Sequence, residues 1–173
     1  SKIFWDEQIR KKTIVKERNI NKFSLQDLKR SFQLYRNRIV SNNNMFLVKL
    51  IYNLSPFKFF KPIYIFLIDL GETVEIDYVR NKFFPTTKSP MLKMQSQSLD
   101  FIFKNQFGFD TLNVNARFEE ESTSGWSKAA RTLTIETLNN MGFKVNFAIL
   151  FNAQIIKLFV KTMVKVIKNS KNK

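Results

Sequence analysis

Cysteine and histidine are both missing from the 173 residues of this chain, so any chemistry must come from carboxylates, lysines, hydroxyls and amides. The two absences remove disulfides, thiolate zinc sites and cysteine nucleophiles, together with the commonest metal ligand and general base. A carboxylate pair or an activated lysine could still serve as acid, base or nucleophile, and neither stands out. The run Glu119-Glu120-Glu121 could hold a hard cation through oxygen ligands. It lacks the glycine turn and alternating ligands of a calcium loop, and a solvated strand end is the better reading. We therefore expect no catalytic residues, no metal site and no cofactor.

Residues suited to binding are easier to find. Leu112, Val114, Ala116 and Phe118 alternate with Asn113, Asn115, Arg117 and Glu119. That period of two predicts a strand over 110–119 with two amides, a guanidinium and a carboxylate on one face. Such a row is either a polar binding wall or the solvent side of an edge strand. Lys157, Lys161, Lys165 and Lys168 recur every three or four residues in a helix predicted over 146–168, away from an apolar side of Phe147, Leu150, Phe151, Ile155, Leu158 and Phe159. A basic amphipathic helix of this kind can lie on anionic membrane or dock on a partner, and it can equally cover its own sheet.

The net charge of +15 is unevenly placed. Residues 1–40 carry 11 Lys and Arg against 4 acids, 41–143 carry 11 against 10, and the last thirty carry 7 against none. The middle is therefore nearly neutral and the ends are cationic. Such ends can contact nucleic acid or anionic lipid. No strand motif, KH-type glycine loop or zinc knuckle of a nucleic-acid reader accompanies them, so solvated helix faces are the plainer reading. A membrane span needs about 20 predominantly apolar residues, and the best candidate, 143–167, is broken by Asn146, Asn152, Gln154, Lys157, Lys161 and Lys165. With no apolar leader near its start, the chain is expected in the cytoplasm or at a membrane surface.

The elements that must position these residues follow from caps and periodicity. Hydrophobic residues make up 44% of the chain and 19 of them are Phe, enough for one packed domain. A loose amphipathic pattern over 3–18 predicts a first helix. Ser24 followed by Asp27 is a capping signal for a second, with an apolar stripe of Leu25, Leu28, Phe32, Leu34, Tyr35 and Ile39. Asn42-Asn43-Asn44 breaks it, and Met45 to Leu54 predicts a shorter, more buried helix. Strands follow over 63–70 and 74–79 around the turn Gly71-Glu72-Thr73, forming a hairpin with one wet face. A loop through Pro85 and Pro90 leads to a short strand at 91–94. Ser96 or Ser98 then caps a helix to about Gln106, and Ser122-Thr123-Ser124 caps another that Gly142 stops.

The stretch from Met91 through Ser98-Leu99, Gly108-Phe-Asp110-Thr-Leu112-Asn-Val114 and Arg117-Phe118 resembles the region that follows the catalytic domain in metallo-β-lactamase-fold hydrolase-like proteins. That region is in turn similar to the sterol carrier protein fold, in which a hairpin, a short strand, a helix and a returning strand curve over an apolar pocket. The resemblance covers about a third of the chain. The hydrolase's histidine-rich metal motif is absent, so its activity is not implied. With the helices read above, the expectation is an α+β fold with a small antiparallel curved sheet, a helical extension over 1–60, a sterol-carrier-like core over 61–143, and a basic amphipathic helix and tail over 144–173, all in one compact unit. The expected function is a non-catalytic accessory module whose cavity takes a lipid or the apolar part of a substrate handled by a hydrolase-like partner domain. Phe101, Ile102, Phe107, Phe109 and Trp126 are the expected pocket residues, each of which is also a natural core residue. The rival is a basic peripheral module that binds anionic membrane or nucleic acid through its terminal helices.

Overall fold

The computed structural model describes residues 23–55, 58–115 and 117–148. The helix expected over 3–18, and Lys157, Lys161, Lys165 and Lys168, lie outside the described residues.

Helix α1 (Leu25–Asn42) begins at the expected capping box: Ser24 Oγ accepts the Asp27 N–H and the Asp27 carboxylate accepts the Ser24 N–H, each at 3.2 Å. The Ser24 hydroxyl and backbone N–H hold the Asp27 carboxyl below its ordinary value. Leu28, Phe32, Tyr35 and Ile39 recur three or four apart and form the buried face, while Leu34 points to solvent. Asn43 and Asn44 separate α1 from α2 (Met45–Leu54), whose first turn is capped by Asn44 Oδ1, accepting from the N–H groups of Phe46 and Leu47. Among the described residues α2 is covered on one side, through Leu47, Val48 and Tyr52. The expectation of a more buried helix is corrected by Phe46, Leu50 and Leu54, which all face solvent.

Five strands form an open sheet in the order β3-β2-β1-β4-β5, with β1 (Ile63–Leu67), β2 (Glu72–Asp77), β3 (Lys82–Pro85), β4 (Leu92–Met94) and β5 (Glu119–Glu120). The α+β class stands, with a mixed sheet: β1–β2, β2–β3 and β4–β5 are antiparallel, and β1–β4 is parallel. The parallel pair arises because residues 86–91 carry the chain from the β3 edge back to the free side of β1. β3 occupies part of the expected loop. It is an edge strand, and it ends at Pro85, where a missing N–H costs no ladder bond. The β1–β2 turn falls earlier than expected, at 68–71, with Gly71 at φ +69°.

The hairpin also lacks the wet face expected of it. Glu75 and Asp77 are both buried. Lys88 Nζ donates to Glu75 Oε2 at 3.1 Å and to the Tyr64 hydroxyl at 2.9 Å, and the Tyr52 hydroxyl donates to Asp77 Oδ2 at 3.2 Å. A buried carboxylate needs such partners. Partners supplied by α2 and by the crossover loop are invisible to a period of two.

Helix α3 (Ser96–Lys104) is capped from a distance and not by its own serines. Asp69, in the β1–β2 turn, accepts from Ser96 N–H at 2.7 Å and from Ser96 Oγ–H at 2.5 Å. The largest correction concerns 110–119. This is no strand: helix α4 (Gly108–Val114) takes most of it, and β5 supplies only Glu119–Glu120. Phe109 and Leu112, three apart, are buried, whereas Val114 is 84% exposed, so helical and not strand spacing decides which side is covered. Helix α5 (Gly125–Asn140) completes the described elements.

One buried cluster, from Leu28 to Val145, joins the helices to Ile63, Ile65, Leu67, Val74, Ile76, Leu92 and Met94 of the sheet. Its centre is aromatic. The Phe103 ring lies 5.7 Å from Phe32, 5.3 Å from Tyr35 and 6.1 Å from Phe83. Tyr35 and Tyr78 are fully buried, and burial holds both phenols well above their ordinary value. Burial also pushes Tyr52 up to about 12. A phenol that keeps its proton more tightly folded than unfolded favours the folded state below the ordinary tyrosine pKa of about 10, and that contribution is lost as pH rises above it. Alkaline titration followed at 295 nm should therefore show these three phenols ionising together with loss of the near-ultraviolet circular dichroism. Ionisation of Tyr35, Tyr52 and Tyr78 near pH 10 with the fold intact would contradict this.

Candidate functional site

Of the residues singled out for binding, the described ones lie on α3, on and beside α4, and at the start of α5. Phe107 adopts a left-handed conformation, φ +55°, and turns the chain sharply from α3 into α4. Gly108 then rests on α3: a Cβ there would come within 2.8 Å of the Ile102 Cα. Phe109 turns inward and stacks on Phe118, with centroids 5.9 Å apart and planes 9° apart. Asp110 accepts a hydrogen bond from the Thr137 hydroxyl, which ties α4 to α5.

Ser124 repeats the device at the start of α5, with φ +65°. Gly125 lies against the Met91 carbonyl with no room for a Cβ. None of the serines and threonines at 122–124 caps this helix through its side chain at the N-cap. Glu120 Oε1 instead accepts the Trp126 N–H at 3.2 Å. The indole Nε1–H of Trp126 donates to Asn113 Oδ1 at 3.0 Å. Trp126 is thus fixed at its backbone by β5 and at its ring by α4, yet its side chain stays at the surface, 40% exposed. Phe107 is exposed to a similar degree, 39%.

The five expected pocket residues therefore divide. Ile102 and Phe109 belong to the packed core, and Phe101, Phe107 and Trp126 lie at the surface. None of them lines an open recess of about 380 Å³ among the described residues, which is bounded by Phe66, Gly71–Thr73 and Pro85–Thr87. Asn113, Asn115 and Arg117 are all exposed but share no strand face. Asn113 lies on α4, Asn115 ends it, and Arg117 follows with its N–H donating to the Leu112 carbonyl at 3.1 Å.

The acidic run is a strand end, as read. Glu119 and Glu120 pair with Lys93 and Leu92, and Glu121 meets Lys93 Nζ at 2.6 Å. Among the described residues no group of three or more acidic side chains is placed to hold a metal ion, and no helix is long and apolar enough to cross a membrane.

Two polar networks escaped sequence reading. Arg38 bridges α1 to Glu136 of α5, and Asn43 exchanges amide hydrogen bonds with Asn139. Their partners are 96 to 98 positions apart, beyond any local signal. The arrangement defines an α+β domain with an aromatic, partly polar surface around α4. No family model, curated protein or solved structure matches the chain.

Proposed function

We propose that the chain is a non-catalytic accessory module that takes an apolar ligand, or the apolar part of a substrate handled by a hydrolase-like partner domain, against the surface around α4. The observation that carries this reading is Trp126, held at its backbone and at its indole N–H while its side chain stays 40% exposed; Phe107, left-handed and also exposed, stands at the start of α4. Left-handed backbone at a non-glycine residue costs free energy, and such positions cluster at binding sites. The exposed polar groups nearby, Asn115 and Arg117, suit the few orienting contacts an apolar ligand needs. Over 63–120 the order is three antiparallel strands, a short strand, two helices and a two-residue strand, which contains the hairpin, short strand, helix and returning strand of a sterol-carrier-like region. The buried carboxylates Asp77, Asp100 and Glu136 are engaged by Tyr52, Ser31 and Arg38, which suits the non-catalytic part of this reading.

The test is a titration of the full chain with a fluorescent fatty acid and a fluorescent sterol, followed by the anisotropy of each probe, a readout that does not depend on Trp126. Saturable binding near one ligand per chain is expected. Trp126→Ala and Phe107→Asn, the latter chosen because asparagine tolerates the left-handed region, should each weaken it about tenfold or more, the worth of a half-buried aromatic contact. Absence of saturation with either probe would remove the reading. Unchanged affinity in both variants would move the site away from α4.

A further inference from the structure

We propose that the domain lies on anionic membrane through a second surface, the outer side of α2 together with the segment that follows α5. This goes beyond the α4 reading and rests on different residues. Phe46, Leu50 and Leu54 recur at intervals of four, so they stand in one row along α2. All three are exposed, although the opposite side of the helix is well covered.

The row does not stand alone. The Asn44 N–H donates to the Val145 carbonyl at 2.7 Å, and Asn43 Oδ1 accepts the Val145 N–H at 2.8 Å. These bonds hold the chain leaving α5 beside the start of α2. Met141, Phe143 and Phe147, each more than half exposed, flank Val145 in sequence and so extend the apolar surface. Scattered single apolar residues on a surface need no explanation, but six on two segments tied together do.

Charge decides the partner. Residues 43–61 contain no acid and carry Lys49, Lys58 and Lys61, and Glu136 is the last acid of the chain, so the segment around Lys144 is also purely cationic. Lys49, Lys58 and Lys144 are exposed. A row of Phe and Leu on segments whose only charged residues are lysines is the pattern that settles among acyl chains while ammonium groups meet anionic headgroups. A helix of 10 residues is too short to span a bilayer, which requires about 20. The contact is therefore parallel to the membrane plane.

Flotation of the full chain with phosphatidylcholine vesicles, and with vesicles containing phosphatidylglycerol, tests this. The chain should float with the anionic vesicles and not the neutral ones. The surface variant Phe46→Gln/Leu50→Gln/Leu54→Gln, checked for an unchanged melting temperature, should lose about tenfold or more in partition coefficient. Phe143→Gln/Phe147→Gln should lose a similar amount. Flotation of both variants at the parent level would overturn the proposal, as would equal flotation on neutral vesicles. A concentration-dependent dimer abolished by the α2 variant, without flotation, would overturn it in favour of a second copy of the chain. None of these results bears on soluble-probe binding at α4, so the two proposals fail separately.

Discussion

Arg38→Ala is expected to lower the unfolding free energy by about 3 kcal/mol in urea melts near neutral pH. Arg38 Nε donates to Glu136 Oε1 at 2.7 Å and Nη2 donates to the Phe103 carbonyl at 2.6 Å, so one guanidinium joins α1, α5 and the end of α3. The Glu136 side chain is only 8% exposed and the Arg38 side chain 34%. Truncating the arginine leaves a buried carboxylate and a carbonyl without their donor. The solvent that reaches Arg38 keeps the loss at the lower end of the buried-pair range. Burial holds the Glu136 carboxyl above its ordinary value, with the Arg38 hydrogen bond and charge pulling the other way. A carboxyl that binds its proton more tightly folded than unfolded favours the folded state at acid pH. That favour is lost as pH rises through the ordinary carboxylate range toward the raised value. Without Arg38 the raising cause acts unopposed, so the deficit should shrink as pH falls toward about 4. Glu136→Gln added to Arg38→Ala should recover part of it. A deficit of the same size at pH 4 and pH 7 would show that the uncompensated charge is not its origin.

The parts of the fold legible in the sequence are those written in local chemistry. The Ser24–Asp27 box, the Leu28-Phe32-Tyr35-Ile39 stripe, and the alternation of Val74 and Ile76 each depend on neighbours within a few positions, and each marks its element in the structure. The errors arise where a distant group takes over a local role. Asp69 caps α3 in place of the helix's own serines, and Glu120 serves the start of α5 in place of Ser122 to Ser124. Over 108–118 the apolar residues fit both a period of two and a helical spacing. The left-handed turn at Phe107 and the close seat of Gly108 on Ile102 select the helix. Neither feature leaves a mark in periodicity.

The candidate site was legible in its residues and not in its shape. Phe107, Asn113 and Trp126 were singled out separately, as pocket wall and as polar strand face. The structure brings Asn113 and Trp126 into one hydrogen-bonded pair because α4 replaces the strand. Ile102 and Phe109 have the same composition signal as Phe101 and Phe107, and only burial separates core from surface. The expectation of a more buried helix over Met45 to Leu54 fails for the same reason. A sequence shows that Phe46, Leu50 and Leu54 are greasy, and only packing shows that nothing among the described residues covers them.

Asn43 should prove about as costly to remove as Arg38, through hydrogen bonds alone. Its Nδ2 donates to the Ile39 carbonyl at 2.7 Å and to Asn139 Oδ1 at 2.6 Å, and its Oδ1 accepts from Asn139 Nδ2 at 3.0 Å and from Val145 N–H at 2.8 Å. Both amides are buried. Asn43→Leu strands the Asn139 amide and the Val145 N–H together, and at about 1–3 kcal/mol for each buried group left unpaired the expected loss is about 3 kcal/mol. Asn43→Asp keeps the acceptors but loses both donated bonds, and it sets a carboxylate against the Ile39 and Asn139 oxygens. It should lose at least as much at neutral pH and recover in acid, when the added proton supplies a donor. The double change Asn43→Leu/Asn139→Leu should cost clearly less than the sum of the single changes, since neither side-chain amide is then left facing an apolar wall and the Val145 N–H loss is counted once. Amide exchange at Val145 distinguishes a local clasp from general packing. In Asn43→Leu it should quicken about tenfold more than exchange at Ile65 in β1, because Val145 opens with the clasp whereas Ile65 opens only with the whole domain. Equal acceleration at the two sites would mean that the amide pair stabilises the core at large and does not hold the segment from 143 to 147 in place.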